Sequence, residues 1–207
     1  MGRGLFITVE GTDGSGKTTQ IGLMKDYLER KGYSVVLTRE PGGTYISEKI
    51  RAIILDPANS RMSAITEMIL YAAARAQLVS EVIKPALESG RIVICDRFVD
   101  SSYAYQGFGR GIDLEVVESV NKAALDGAMP DITFFFDISP EIALNRRIEA
   151  TGTDRIERED MEFHMRVYNG YKQIALLNPE RIRVIDSNRT VEEISKDVIG
   201  WIDRLLK

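Results

Sequence analysis

An α/β fold, with a five-stranded parallel sheet flanked on both faces by helices, is what this sequence of 207 residues predicts. Three observations carry the prediction. Short apolar runs alternate with longer segments of helical period, the pattern of successive βαβ units. The first strand-to-helix junction, VEGTDGSGKTTQ at 9–20, has Gly11, four residues, then Gly16, Lys17 and Thr18, which is the spacing of a phosphate-binding loop. No internal repeat, low-complexity tract or linker divides the chain, so 1–207 reads as one domain, and 44% hydrophobic residues suffice for its core.

The elements follow in order. LFITVE makes a first strand at Leu5–Glu10. After the loop, Ile21, Met24 and Leu28, with Leu23 and Tyr27, recur at helical spacing and predict a helix over Thr18–Lys31. A second strand at Val35–Arg39 leads to helices at Ser47–Leu55 and Ala64–Ser89. Pro85 lacks an N–H and should kink or split the longer of these. Strands at Ile92–Asp96, Ile132–Asp137 and Ile182–Asp186 complete the sheet, between helices at Leu114–Leu125, Pro140–Ala150, Met161–Leu177 and Val191–Leu206. Ligands on such sheets bind at the carboxyl ends of the strands, which makes the residues just after each strand the candidates.

Composition excludes several classes. A formal charge of −4, from 27 basic and 31 acidic residues, argues against a general binder of nucleic acid or anionic membrane, so phosphate recognition must be local. MGRG runs directly into the first strand and no apolar stretch is long enough to span a bilayer, so neither a targeting nor a membrane segment is expected. Cys95 is the one cysteine, which rules out an intramolecular disulfide and points to a reducing, cytoplasmic setting. The one histidine, His164, has no second His and no Cys beside it, so neither a transition-metal site nor a Ser–His pair is built on it.

The loop residues Gly11, Thr12, Asp13, Gly14, Ser15, Gly16, Lys17, Thr18 and Thr19 form the expected cradle for a nucleoside triphosphate. Glycines let successive N–H groups turn toward a phosphate, and the helix N-terminus adds its positive end. Lys17 is expected on the β- and γ-phosphates and the Thr18 hydroxyl on Mg²⁺. A second carboxylate at a strand end should help hold the metal. Asp96 is preferred because Arg97 follows it, setting a cation beside transferred charge. Asp137 opens DISPE and reads equally as a helix cap. A GTP switch is excluded: D-x-x-G occurs only at Asp13–Gly16 and Asp197–Gly200, and N-K-x-D does not occur.

Four further stretches add an acceptor side: TREPGG (38–43), YAAARAQ (71–77), DRFVDSSYAYQG (96–107) and TGTDRIERED (151–160). With the loop, and in order from about residue 5 to 190, they resemble thymidylate kinases of the bacterial and archaeal kind. The resemblance implies a P-loop nucleoside-monophosphate-kinase-like three-layer fold, ATP as donor, dTMP as acceptor, Mg²⁺ as cofactor and a homodimer. It also implies roles. Tyr71 would stack on thymine with Arg75 against the base; the two are four residues apart on a helix and share a face, although core packing is the alternative for Tyr71. Arg39 would lie by the monophosphate and base, with Gly42 and Gly43 allowing close backbone approach, and Arg97 would clamp the monophosphate through bidentate geometry. Asp13 would accept from the acceptor's 3′-hydroxyl. Ser102, Tyr105 and Gln106 fall in the acceptor stretch, with Tyr105 crowding the 2′ position and Gln106 by the base.

On composition alone, 151–160 is a solvated charged loop; the resemblance makes it a lid. Family members without a basic residue at the position of Ser15 supply a catalytic arginine from that lid, which nominates Arg155, with Arg158 second. Arg146 matches an arginine along adenine, GFGRG (107–111) reads as a flexible element, and Arg110 has no assigned role. Catalysis would rest on alignment and on charge neutralisation by Lys17, Mg²⁺, Arg97 and Arg155. The alternatives are another nucleoside or nucleoside-monophosphate kinase and a nucleotide-binding switch without turnover.

Overall fold

A computed structural model describes residues 3–147 and 154–206. Its strands are β1 (Phe6–Glu10), β2 (Val35–Arg39), β3 (Ile92–Asp96), β4 (Ile132–Asp137) and β5 (Ile182–Asp186), all parallel in the order β2-β3-β1-β4-β5. Helices α1 (Lys17–Arg30), α2 (Tyr45–Leu55), α3 (Ala64–Leu78), α4 (Lys84–Glu88), α5 (Val99–Ser102), α6 (Leu114–Leu125), α7 (Pro140–Arg147), α8 (Met161–Leu177) and α9 (Val191–Leu205) connect them.

Alternation along β1 sets the layers. Ile7 and Val9 face α1 and α9, where Met24, Leu28, Ile194, Val198 and Ile202 close one core. On the other face Phe6, Val93 and Cys95 pack with Leu78, Ile83 and Phe98, while Phe135 and Ile182 pack with Phe163, Val167 and Tyr171 of α8. Cys95 is fully buried, as packing requires, and burial pushes its thiol up. Strand order reverses at β1, which lies between β3 and β4, so the crevice opens at the carboxyl end of β1. No helix among the described residues is long and apolar enough to cross a membrane.

Strands β2 to β5 have the expected bounds and β1 begins one residue later, at Phe6. Helix α2 starts at Tyr45 because Thr44 caps it, its hydroxyl accepting from the Ser47 N–H. The long helix expected at Ala64–Ser89 is split. It widens into a π-helical turn at Val79–Ile83, and Pro85 lies in the first turn of α4, where a missing N–H costs least.

One segment differs more. The stretch after β3 is helical, as α5 and then a π-helical segment at Tyr103–Gly109. GFGRG is therefore packed rather than free. A Cβ on Gly109 would lie 2.8 Å from Phe163 and Val167, and one on Gly170 would lie 2.7 Å from Phe108. Glycine on both sides is what lets the segment press against α8.

Candidate active site

The phosphate loop takes the conformation its glycines allow. Gly11, Gly14 and Gly16 have φ of +138°, +86° and +91°. A Cβ on Gly14 would come within 2.1 Å of the Ala143 carbonyl, so only glycine fits under α7. Helix α1 has no side-chain cap and no acidic residue in its first turn, leaving its N–H groups open to an anion. Lys17 is buried and donates to the carbonyls of Gly11 and Thr12, at 3.0 Å each, and burial lowers the pKa of its ammonium. The hydroxyls of Thr12 and Ser15 are buried without a partner.

Beside the loop, β3 ends in Asp96 and Arg97, with Asp96 registered against Val9. Asp96 Oδ1 is buried and unpartnered, an unmet acceptor facing the loop. Asp137 is otherwise engaged: its carboxylate accepts from the Tyr168 hydroxyl at 2.8 Å, and Ser139, not Asp137, accepts from the first N–H groups of α7. Arg97 has φ of +66°, the left-handed region that side chains other than glycine seldom adopt. Its guanidinium donates to Asp13 at 2.9 Å and to the Tyr171 hydroxyl at 3.2 Å and lies over the Tyr105 ring.

A cavity of about 460 Å³ runs from Thr12, Asp13, Gly14 and Thr18 to Arg39, Tyr71, Arg75, Ser102, Tyr105 and Gln106. A second, of about 270 Å³, surrounds Gly16, Lys17 and Thr19, and shares Asp13, Gly14, Thr18, Asp96 and Arg146 with the first. Residues of the loop and of the later stretches, separated by up to 94 positions from Thr12 to Gln106, thus meet around one space. Burial pushes the Tyr71 hydroxyl up and that of Tyr105 up to about 12, so both stay neutral. Arg39 is half-exposed and paired with Glu48 at 2.9 Å. Arg146, exposed on α7, donates to the Ser187 carbonyl at 3.2 Å.

Arg75 departs from the expectation of a guanidinium offered to a base. It lines the cavity but is 1% exposed, and its N–H groups all go to protein acceptors: Glu40, Ser102, Asn121 and the Phe98 carbonyl. It ties Glu40, just after β2, to α3, α5 and α6 along one wall of the cavity. Breaking such a buried pair costs about 3–5 kcal/mol.

Arg155 also departs. It does not line the cavity, whereas Asp154, Ile156 and Glu157 do. Its guanidinium is buried, donating to the Ile54 carbonyl at 2.8 Å and to Glu67 at 2.7 Å. Glu67, on α3, also accepts from Gln106 at 2.9 Å and from Arg110, which in turn pairs with Glu159. Burial would raise the Glu67 carboxyl, and these donors overcome it and hold it below the usual range. One carboxylate therefore joins the segment at Arg155 to the segment at Gln106, and Arg110 is part of that link. Gly152 and the rest of 148–153 lie outside the described residues.

Three residues here were not found from sequence. Glu10, the last residue of β1, is fully buried, and burial, then the neighbouring Asp100 charge, raises its carboxyl to about 7. A carboxylate closing an apolar strand just before the loop was a usable signal, because alternation puts it on the Phe6 and Thr8 face. Glu67 gave none, since its partners are 39, 43 and 88 positions away. His164 lines the cavity with Nε2 buried and unpartnered, although no motif pointed to it.

Comparison with known proteins agrees with this geometry. A family profile described as thymidylate kinase matches residues 9–198. A thymidylate kinase of Exiguobacterium sibiricum is 47% identical over 205 residues, covering 97% of each chain. One of Symbiobacterium thermophilum is 50% identical over 204 residues, covering 98% of this chain and 94% of its own. The crystal structure of thymidylate kinase from Ehrlichia chaffeensis superposes with a TM-score of 0.79 at 38% identity, covering 97% of this chain and 99% of that one.

Proposed function

The chain belongs to the thymidylate kinase family, and from that premise we infer an enzyme that transfers the γ-phosphoryl group of ATP to dTMP, giving dTDP and ADP. The observation that carries the reading is the continuity of the two cavities, which gives a triphosphate on the loop and a nucleotide beside Tyr71 one shared space.

We propose the following division of labour. The donor's phosphates lie on the loop from Gly11 to Thr19 with Lys17 at the β- and γ-phosphates, and Arg146 lies by the donor base. Thymine packs on Tyr71, with Gln106 at its edge; Tyr105 crowds the 2′ position, Arg75 braces the cavity wall through Glu40 and Ser102, and Asp13 accepts from the 3′-hydroxyl. Arg39 and Arg97 hold the acceptor phosphate. That phosphate's oxygen is already ionised near neutral pH, so it attacks the γ-phosphorus in line without a general base. The bond from the γ-phosphorus to the bridging oxygen breaks, and ADP leaves with that electron pair. Lys17 and Arg97 neutralise the charge spread over the transferred oxygens. Arg155 can join them only by releasing Glu67, and we assign that exchange to lid closure.

Magnesium fits the donor set. The unpartnered Asp96 oxygen and the Thr18 hydroxyl are hard ligands at the loop, and no cluster of three or more His, Cys, Asp or Glu stands ready to cage a metal among the described residues. When bound, Mg²⁺ supplies charge neutralisation on the phosphates, with Thr18 and Asp96 holding it, directly or through water.

A homodimer, as the resemblance implies, is supported by exposed apolar residues on neighbouring helices: Ile46 and Ile53 of α2, Ile65 and Ile69 of α3 and Val116 of α6. Sedimentation at the monomer mass would overturn it. A cytoplasmic location is proposed from the lone, buried thiol.

The catalytic reading is tested by following ADP release from Mg-ATP and dTMP. Turnover is expected, falling at least about hundredfold in Lys17→Ala and vanishing with EDTA. Undiminished turnover in EDTA would remove the metal assignment, and an active Lys17→Ala the loop mechanism.

A further inference from the structure

Arg97 holds an unfavourable backbone conformation at the centre of the site, and β1 and α8 hold it there. The Val9 carbonyl accepts the Arg97 N–H at 2.9 Å, and Glu10 Oε1 accepts the next one, from Phe98, at 2.7 Å. The other Glu10 oxygen accepts from the Ser101 hydroxyl at 2.6 Å and from the Tyr171 hydroxyl at 2.8 Å. Tyr171 completes the circuit, since its oxygen accepts from Arg97 Nη1. The ring behind that hydroxyl does not drift: it is 2% exposed and stacked on Phe135 with centroids 5.2 Å apart. One carboxylate thus grips the backbone after Arg97 and, through a rigid phenol, the guanidinium itself.

We propose that Glu10 and Tyr171 are positioning residues that set Arg97 for the acceptor's phosphate, an inference that rests on the dTMP kinase reading. Neither needs to touch a substrate. Glu10 supplies a fixed acceptor behind the cation; Tyr171 passes that constraint to the guanidinium. A misplacement of about 1 Å in such a group costs up to about a hundredfold in rate.

The test uses two variants of the full chain. Tyr171→Phe keeps the stacked ring and removes the link alone. Glu10→Gln keeps the shape but turns an acceptor of two hydroxyls into a donor. Both are expected to lower kcat/KM for dTMP about tenfold or more. Thymidine, which has no phosphate for Arg97 to hold, is expected to inhibit each variant as it does the parent, whereas a distorted site would bind it less well. In an Arg97→Ala background, Tyr171→Phe is expected to add nothing, because its effect passes through Arg97. Parental kcat/KM in Tyr171→Phe, or the same loss repeated on Arg97→Ala, would overturn the proposal. A parent protein unable to phosphorylate dTMP would overturn the function reading and this inference with it, an outcome distinct from either.

Discussion

Arg155 is held by a carbonyl and a carboxylate, and a phosphate can replace the second. If it leaves Glu67 to meet the transferred group, Arg155→Ala should lower kcat about hundredfold with little loss of dTMP affinity, because the contact forms only on the way to the transition state. If it only anchors the lid root, the melting temperature falls and kcat per folded molecule stays. Steady-state kinetics beside a thermal melt separates the two. Residues of the phosphate loop were legible because their chemistry is local: the spacing from Gly11 to Thr18 fixes which groups face a phosphate. Arg75 and Arg155 were legible as arginines near the site but not in their partners, since Glu40 and Glu67 are 35 and 88 positions away. A buried carboxylate claims a guanidinium more strongly than an empty subsite does.

Among the elements, the segment from Val99 to Gly109 decides how the acceptor side is built. Only its GFGRG end was read from sequence, as a flexible element, and the segment folds as helix because α8 supplies a complementary groove at Gly170. Gly170→Ala drives a methyl into Phe108. It is expected to cost about 1–3 kcal/mol and to raise KM for dTMP more than KM for ATP, since the displaced segment carries Tyr105 and Gln106 and not the loop. Equal changes in the two constants, or none, would show that this packing does not position the acceptor. The strands were legible nearly to the residue, because each is an apolar run closed by a polar or charged residue at the crevice. The split of the long helix was legible from Pro85, but the π-helical turn before it was not, because tertiary packing chooses where a helix absorbs its extra residue.

At the scale of the molecule, the sheet order brings two chemistries together. By standing between β3 and β4, β1 puts the donor loop next to Arg97, and β2 puts Arg39 across the same space. If the proposed roles hold, substrate choice belongs to the shape of this one cavity. The most direct test is ADP release with Mg-ATP across dTMP, dUMP, UMP, dCMP, dAMP, dGMP and thymidine at equal concentration. A strong preference for dTMP, with UMP poor because Tyr105 crowds the 2′ position and thymidine inert because it brings no phosphate to Arg97, is the predicted result. Preference for another monophosphate would contradict the acceptor side at Tyr71, Tyr105 and Gln106, and ATP binding without turnover of any acceptor would contradict the account as a whole.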